Sequence, residues 1–256
     1  SEINRYAEAA AGSWFSLSPQ FAHVLDCALQ VARASDGAFD PTLGHASELW
    51  GFGAGPAPAH VPTDRAAAAT RARNWRDLEL AEGGRLLLQP GGLALDLSGI
   101  AKGFAVDLGI GILQSIGIRH ALLDIGGELR GIGVQPDGLP WWVDLEIPPG
   151  STAPATRIGL CGWAVATSGC YRRQRQADGR IWSHSLDPQS GRPIDDTVLS
   201  ASVLHRGCMQ ADALATAIMV LGAEEGIRFA NAHAVPARIV TQDRVVTSTA
   251  WGAWLS

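Results

Sequence analysis

Three groups of residues have types and spacings that carry chemistry. Asp212 and Thr216 stand four apart at the start of an apolar run, Ala211 to Leu221. On a helix that spacing puts a carboxylate and a hydroxyl on one face, one turn apart. Two hard oxygen donors are too few to enclose a cation, but they suit Mg²⁺, which keeps waters and takes further ligands from phosphates. The same pair also reads as a first-turn helix acid and a hydroxyl that back-bonds along its helix. The second group is D-L-S-G-I-A-K-G-F-A-V-D, from Asp96 to Asp107. An alternating apolar run, Leu93 to Leu97, predicts a strand before it. Phe104, Val106, Leu108, Ile112 and Leu113 predict a helix after it, over 104–116. Small residues between strand and helix let backbone N–H groups approach an anion at the positive helix end. Lys102 adds a cation and Asp96 an acceptor for hydroxyls or a ring N–H. An ordinary turn with a solvated lysine has the same spacing, which is neither a Walker loop nor a dinucleotide fingerprint. The third is His184, predicted on the strand I-W-S-H-S-L before the turn D-P-Q-S-G-R-P. It is either a hydrogen-bonded structural group or a proton acceptor working near neutral pH.

The elements that must hold these groups follow from patterning. Ser18-Pro19 predicts an N-cap and first helical position, with Phe21, Val24, Leu25, Ala28 and Val31 on one stripe up to about Ser35, and Gly37 closing the helix. Residues 36–53 predict a glycine-punctuated loop ending in L-W-G-F-G. There Trp50 and Phe52 either face an aromatic ligand or pin the loop to the core, while Gly51 permits close backbone approach. A short helix is predicted over 66–77, and strands at 85–89, 93–97, 121–125, 141–147, 156–161, 163–168, 181–186 and 197–204. Strings of adjacent strands mixed with helices favour an α+β fold over regular βαβ alternation.

Composition narrows the classes. The 256 residues are 46% hydrophobic and carry a net charge of −5 with no block of lysine and arginine, which argues against nucleic acid as a partner. No apolar run is long enough to span a bilayer. Cys27, Cys161, Cys170 and Cys208 show no metal-site spacing, and Cys27 falls on the buried stripe of its predicted helix. No G-x-S-x-G elbow occurs, which disfavours a serine hydrolase. The chain begins at Ser1 rather than Met, so an upstream segment is expected.

D-L-S-G-I-A-K-G-F-A-V-D closely resembles the signature of the ApbE family of FAD:protein FMN transferases. Four further segments match in the same order: S-D-G-A-F-D-P-T (35–42), L-L-D-I-G-G-E-L-R (122–130), A-T-S-G-C-Y-R-R (166–173) with H-S-L-D-P-Q-S-G-R-P (184–193), and A-D-A-L-A-T-A-I-M-V-L-G (211–222). The resemblance implies one domain over 1–256 without the family's opening strands. Its fold would be α+β, a mixed, largely antiparallel sheet with packed helices in two closely joined lobes and the site in the cleft between them. The implied reaction is Mg²⁺-dependent transfer of FMN from FAD to a threonine or serine hydroxyl of a separate acceptor protein, releasing AMP. FAD hydrolysis to FMN and AMP, or FAD binding without turnover, are the alternatives. Asp212, Thr216 and the Gly99 carbonyl would hold Mg²⁺. Trp50, Gly51, Phe52, Asp96, Ser98, Lys102, Ser168 and His184 would bind FAD, with His184 also the catalytic base. Asp124 replaces an amide common in the family, and Cys170 a polar or small residue. The resemblance also implies a periplasmic protein with a lipid anchor upstream, a cytoplasmic form being the other option.

Overall fold

The computed structural model describes residues 1–195 and 197–255. The chain folds as two compact units, each built from two stretches: Ser1–Leu97 with Arg173–Ile194, and Ser98–Arg172 with Asp195–Ser256. Elements are numbered along the chain.

The first unit holds α1 (Glu2–Ala7), α2 (Pro19–Ala34), α3 (Gly44–Leu49) and α4 (Asp64–Ala69). Its antiparallel sheet contains β1 (Ser13–Ser16), β2 (Leu80–Ala81) and β3 (Leu86–Gln89) in the order β1-β3-β2. Two short hairpins, β9 (Gln174–Ala177) with β10 (Arg180–Ser183) and β11 (Leu186–Asp187) with β12 (Arg192–Pro193), complete it. Helix α2 starts and stops as its sequence predicts. The Ser18 hydroxyl accepts the Phe21 N–H at 3.2 Å, and Gly37, at φ +85°, donates back to the Ala32 carbonyl. Its apolar stripe is buried, with Leu25 and Leu29 packed among Tyr6, Leu87, Leu93 and Leu95. Three predictions differ here. The strand expected at 93–97 keeps its alternating burial but joins no ladder. Its backbone instead bonds to the segment before α3, with Asp96 N–H on the Pro41 carbonyl at 2.8 Å and Gly44 N–H on the Ala94 carbonyl. The loop expected over 36–53 contains α3, and the helix expected over 66–77 is instead α4 and a separate 3-10 turn at Trp75–Asp77.

The second unit is organised on a six-stranded antiparallel sheet. Its strands are β4 (Ala121–Ile125), β5 (Glu128–Ile132), β8 (Trp163–Gly169), β13 (Val198–His205), β14 (Ala237–Thr241) and β15 (Val245–Thr247), in the order β15-β14-β13-β8-β5-β4. The sheet is antiparallel throughout, where the family resemblance implies a mixed, largely antiparallel one. Helix α5 (Ala101–Ser115) lies over β4 and β5, α6 (Cys208–Ala232) over β8 and β13, and the two helices pack on each other. Another core cluster gathers Val165, Leu204 and Trp251 of α7 (Thr249–Leu255). Leu145 and Ile158 join it from the hairpin of β6 (Trp141–Leu145) and β7 (Thr156–Leu160). Seven of the eight residues of β13 are buried, as expected of a strand covered on both faces.

Helix α6 runs well past the predicted 211–221 and breaks helical geometry at Gly222, where φ is 81° and ψ 179°. Helix α5 turns a different stripe inward from the one its apolar residues suggest. Gly103, Val106 and Ile110 are buried, whereas Leu108 and Ile112 are exposed. The close approach of α6 at Gly103 sets that rotation. No helix among the described residues is long and apolar enough to cross a membrane.

Candidate functional site

In the second unit the first turns of α5 and α6 meet. A Cβ on Gly103 would lie 2.3 Å from the Cys208 carbonyl oxygen, so only glycine lets the helices approach so closely. Neither helix has a side-chain cap from its own N-cap residue. Each is capped by the other. Asp212 Oδ2 accepts the Gly103 N–H at 2.9 Å, in the first turn of α5. Asp107 Oδ1 accepts the Cys208 N–H at 3.0 Å, and its Oδ2 accepts the Met209 N–H at 2.9 Å, in the first turn of α6. Open helix N-termini present orphan donors and partial positive charge, and both carboxylates answer that demand.

Asp212 is 3% exposed. Burial pushes its carboxyl up to about 6, against the opposing pull of the Gly103 N–H and the Lys102 ammonium. Thr216 follows one turn along α6, half-buried, with Oγ1 3.2 Å from the Ser168 hydroxyl on β8. Lys102 stands in the first turn of α5, and Ser98 and Gly99 form the turn just before it. The second unit thus unites Asp212, Thr216 and Ser168 around the same helix face, and sets the Lys102 turn against Asp212.

Two members of this cluster escaped sequence reasoning. Glu128, first residue of β5, is 1% exposed, and its Oε1 accepts from Lys102 Nζ at 2.5 Å. Its Oε2 is buried and takes no hydrogen bond. Burial, then the neighbouring Asp212 carboxylate, push the Glu128 carboxyl up to about 7, with Lys102 and the residue's own backbone N–H acting against them. The other is Asp107, whose capping of α6 also engages Arg130 at 2.6 Å. The only local signal for Glu128 was its place after Gly126-Gly127, both at positive φ. Asp124 closes that turn by accepting the Gly127 N–H at 2.9 Å, a bond that an amide oxygen would accept equally.

The donor set fits a hard divalent cation. The single hydrogen bond of Asp212 occupies Oδ2, Thr216 supplies a hydroxyl, and the nearby Glu128 keeps an unsatisfied buried oxygen. Buried carboxylates opposed by one ammonium are what a cation would relieve. Cys208 directs its thiol to the Leu129 carbonyl, and burial pushes that thiol up. Cys170 is also buried, its thiol directed to the Leu199 carbonyl.

The first unit carries the other predicted residues. Trp50 is buried rather than presented to a ligand. Its indole N–H donates to the Gly191 carbonyl at 2.7 Å, its carbonyl accepts the Trp182 indole N–H at 3.1 Å, and the two rings meet edge-on. Of the two readings of that residue, the structure takes the pin. Gly51 follows at φ +79°, where a Cβ would meet Pro58 Cδ at 2.6 Å, and its carbonyl accepts from Arg175 Nε at 2.9 Å. Phe52 is half-buried, its ring centroid 6.1 Å from that of His184 and 5.5 Å from the Arg175 guanidinium carbon.

His184 lies just beyond β10, at a bend rather than on the predicted strand, because pairing with β9 stops at Ser183. The Arg173 carbonyl accepts its backbone N–H at 3.1 Å. Asp96 Oδ2 accepts a hydrogen bond from the Ser47 hydroxyl. The F-D-P-T segment positions Asp96. Asp40 Oδ1 accepts both the N–H and hydroxyl of Thr42, fixing the turn whose Pro41 carbonyl holds Asp96 N–H.

Comparison with known proteins identifies the family and the fold. The model of the ApbE family matches residues 1–239. A FAD:protein FMN transferase of Vibrio cholerae is 39% identical over 243 residues, spanning 94% of this chain and 73% of that protein. One from Haemophilus influenzae is 33% identical, with 97% and 75% covered. Among solved structures, the flavin transferase ApbE from Vibrio cholerae superposes with a TM-score of 0.90 at 36% identity, covering 99% of this chain and 82% of that one. The apbe protein of Thermotoga maritima gives 0.88 at 26% identity, with 98% and 82% covered. Five sequence segments, a sheet with paired helices and matches along nearly the whole chain lead to one assignment: the chain belongs to the ApbE family.

Proposed function

We propose that this protein transfers FMN from FAD to a threonine or serine hydroxyl of a separate acceptor protein. The acceptor oxygen forms a bond to the FMN phosphorus, the diphosphate P–O bond breaks, and AMP leaves. The relatives' shared name, FAD:protein FMN transferase, supports the substrate and the kind of acceptor. The observation that carries the reading is the Gly103–Asp212 contact, which joins the signature turn to an acid of α6 109 residues away.

In this reading Asp212, Thr216 and the Gly99 carbonyl hold Mg²⁺, which when bound neutralises diphosphate charge and polarises the reacting phosphate. Lys102 sets a second positive charge toward the phosphates. The N–H groups that open α5 favour the same anion. Ser168 braces Thr216 through their hydroxyl contact and offers its hydroxyl to FAD, as does Ser98. Phe52 offers an aromatic edge to the flavin, Trp50 anchors the loop that carries Phe52, and Gly51 gives that loop its left-handed step. Asp96 orients FAD by accepting from it. His184 accepts the proton of the attacking hydroxyl.

The test is incubation with FAD, Mg²⁺ and a candidate acceptor protein, read as covalent flavin fluorescence on a denaturing gel alongside AMP release. Labelled acceptor with equimolar AMP is the expected result. AMP and free FMN without label would replace the transferase by an FAD diphosphatase, and intact bound FAD would leave only a binding protein. Asp212→Asn keeps an acceptor for Gly103 N–H while removing the charge. It should lower transfer by at least about 10³-fold with circular dichroism unchanged.

A further inference from the structure

We propose that Glu128 is a positioning residue of the cation site: one oxygen holds the Lys102 ammonium, and the other accepts a hydrogen bond from a water carried by the bound cation. The inference rests on the Mg²⁺ reading given above.

Three observations lead to it. Glu128 is almost fully buried, yet Oε2 has no hydrogen-bond partner, a state that is costly for a buried carboxylate unless something arrives to satisfy it. The groups it faces are Lys102 from α5 and Asp212 from α6, so the unsatisfied oxygen belongs to the same cluster as the metal-binding carboxylate. The turn beside it runs close by, with Gly126 at φ +68°. A Cβ on Gly126 would lie 3.9 Å from Glu128 Oε2 and 3.7 Å from Lys102 Cδ, so the turn's own backbone borders the pair.

β5 also addresses α5 twice from one face. Glu128 meets Lys102, and two residues on Arg130 meets Asp107 with the signs reversed. The second contact braces the α6 cap and is complete in itself. The first leaves one oxygen over. Mg²⁺ retains several waters when few protein ligands reach it, and their hydrogens need acceptors. Carboxylates placed to take such bonds change metal affinity by about 10–100-fold when removed.

Metal binding is tested without FAD, by titrating Mn²⁺ into the full chain and following free ion by electron paramagnetic resonance. The wild type is compared with Glu128→Gln, Lys102→Met and Asp212→Asn. Glu128→Gln is expected to weaken Mn²⁺ binding by about 10–100-fold. Its metal-free melting temperature should not fall, since an under-compensated buried charge is removed. Lys102→Met is expected to bind Mn²⁺ at least as tightly as wild type, because Glu128 is then released from its counter-ion. This second variant guards against simple unfolding of the first. If Lys102→Met weakens binding as much as Glu128→Gln, the pair is a structural brace and the inference is wrong. Wild-type affinity in Glu128→Gln beside lost binding in Asp212→Asn would overturn the role of Glu128 and leave the metal site standing. Undiminished binding in Asp212→Asn would overturn the metal reading itself and, with it, this inference.

Discussion

The loop around Trp50 and the cluster around Asp212 solve opposite problems. At Trp50 the buried polar atoms are matched: its indole N–H reaches Gly191, its carbonyl takes the Trp182 N–H, and the rings pack edge-on. At Asp212 two buried carboxylates face one half-exposed ammonium, and one carboxylate oxygen is left without a partner. The first region is settled by folding alone. The second keeps more buried negative than positive charge after folding, a mismatch that a core does not carry.

Three changes probe that contrast, the largest first. Trp50→Ala empties a fully matched core position and should cost about 3–5 kcal/mol in chemical denaturation. A loss under about 1 kcal/mol would mean that the loop is not held by this ring. Gly103→Ala pushes a methyl toward the Cys208 carbonyl. It should cost about 1–3 kcal/mol by the same measurement and shift Asp212, so that transfer falls further than stability alone explains. Unchanged activity there would show that the helix spacing is not critical to the site.

The smallest effect is on pH, and its sign is opposite to that of an ordinary ion-paired acid. The Glu128 carboxyl is raised from 4.5 to about 7 and that of Asp212 from 3.8 to about 6. The folded state therefore holds more protons than the unfolded one between about pH 4 and 7. Stability from these groups is full at the acid end of that window and declines as pH rises through the folded values. In EDTA the melting temperature should fall by a few degrees from pH 5 to pH 7.5, each kcal/mol being worth roughly 2–4 °C in a chain of this size. A rise attributable to these residues, lost in Glu128→Gln, would mean that Lys102 compensates the pair fully.

Sequence reasoning reached what is local. The Ser18 cap, the stripe of α2, the apolar β13 and the one-turn spacing of Asp212 and Thr216 all depend on neighbours within a few residues. It failed where distant chain decides. Leu93–Leu97 alternates like a strand, but its hydrogen bonds go to residues 41–44 instead of a ladder. The inward face of α5 is chosen by α6, so Leu108 and Ile112 stay exposed despite their spacing. Trp50 as pin or ligand wall hung on Gly191 and Trp182, more than a hundred residues on. Glu128 was invisible because an acid opening a strand reads as solvated, and only the helices above it make it buried.

The exchange of caps between α5 and α6 also sets when this protein becomes competent. The carboxylate that closes α5 and the carboxylate that closes α6 each act over a separation of more than a hundred residues. Neither helix can be finished locally, and contacts of such range form late because a long loop must close first. During synthesis the signature turn emerges long before the acid that completes it. A ribosome paused ahead of Gly207 would display the Lys102 turn with its Gly103 N–H still uncapped, and the two helices would close on each other only when the residues after Gly207, about a fifth of these 256, dock.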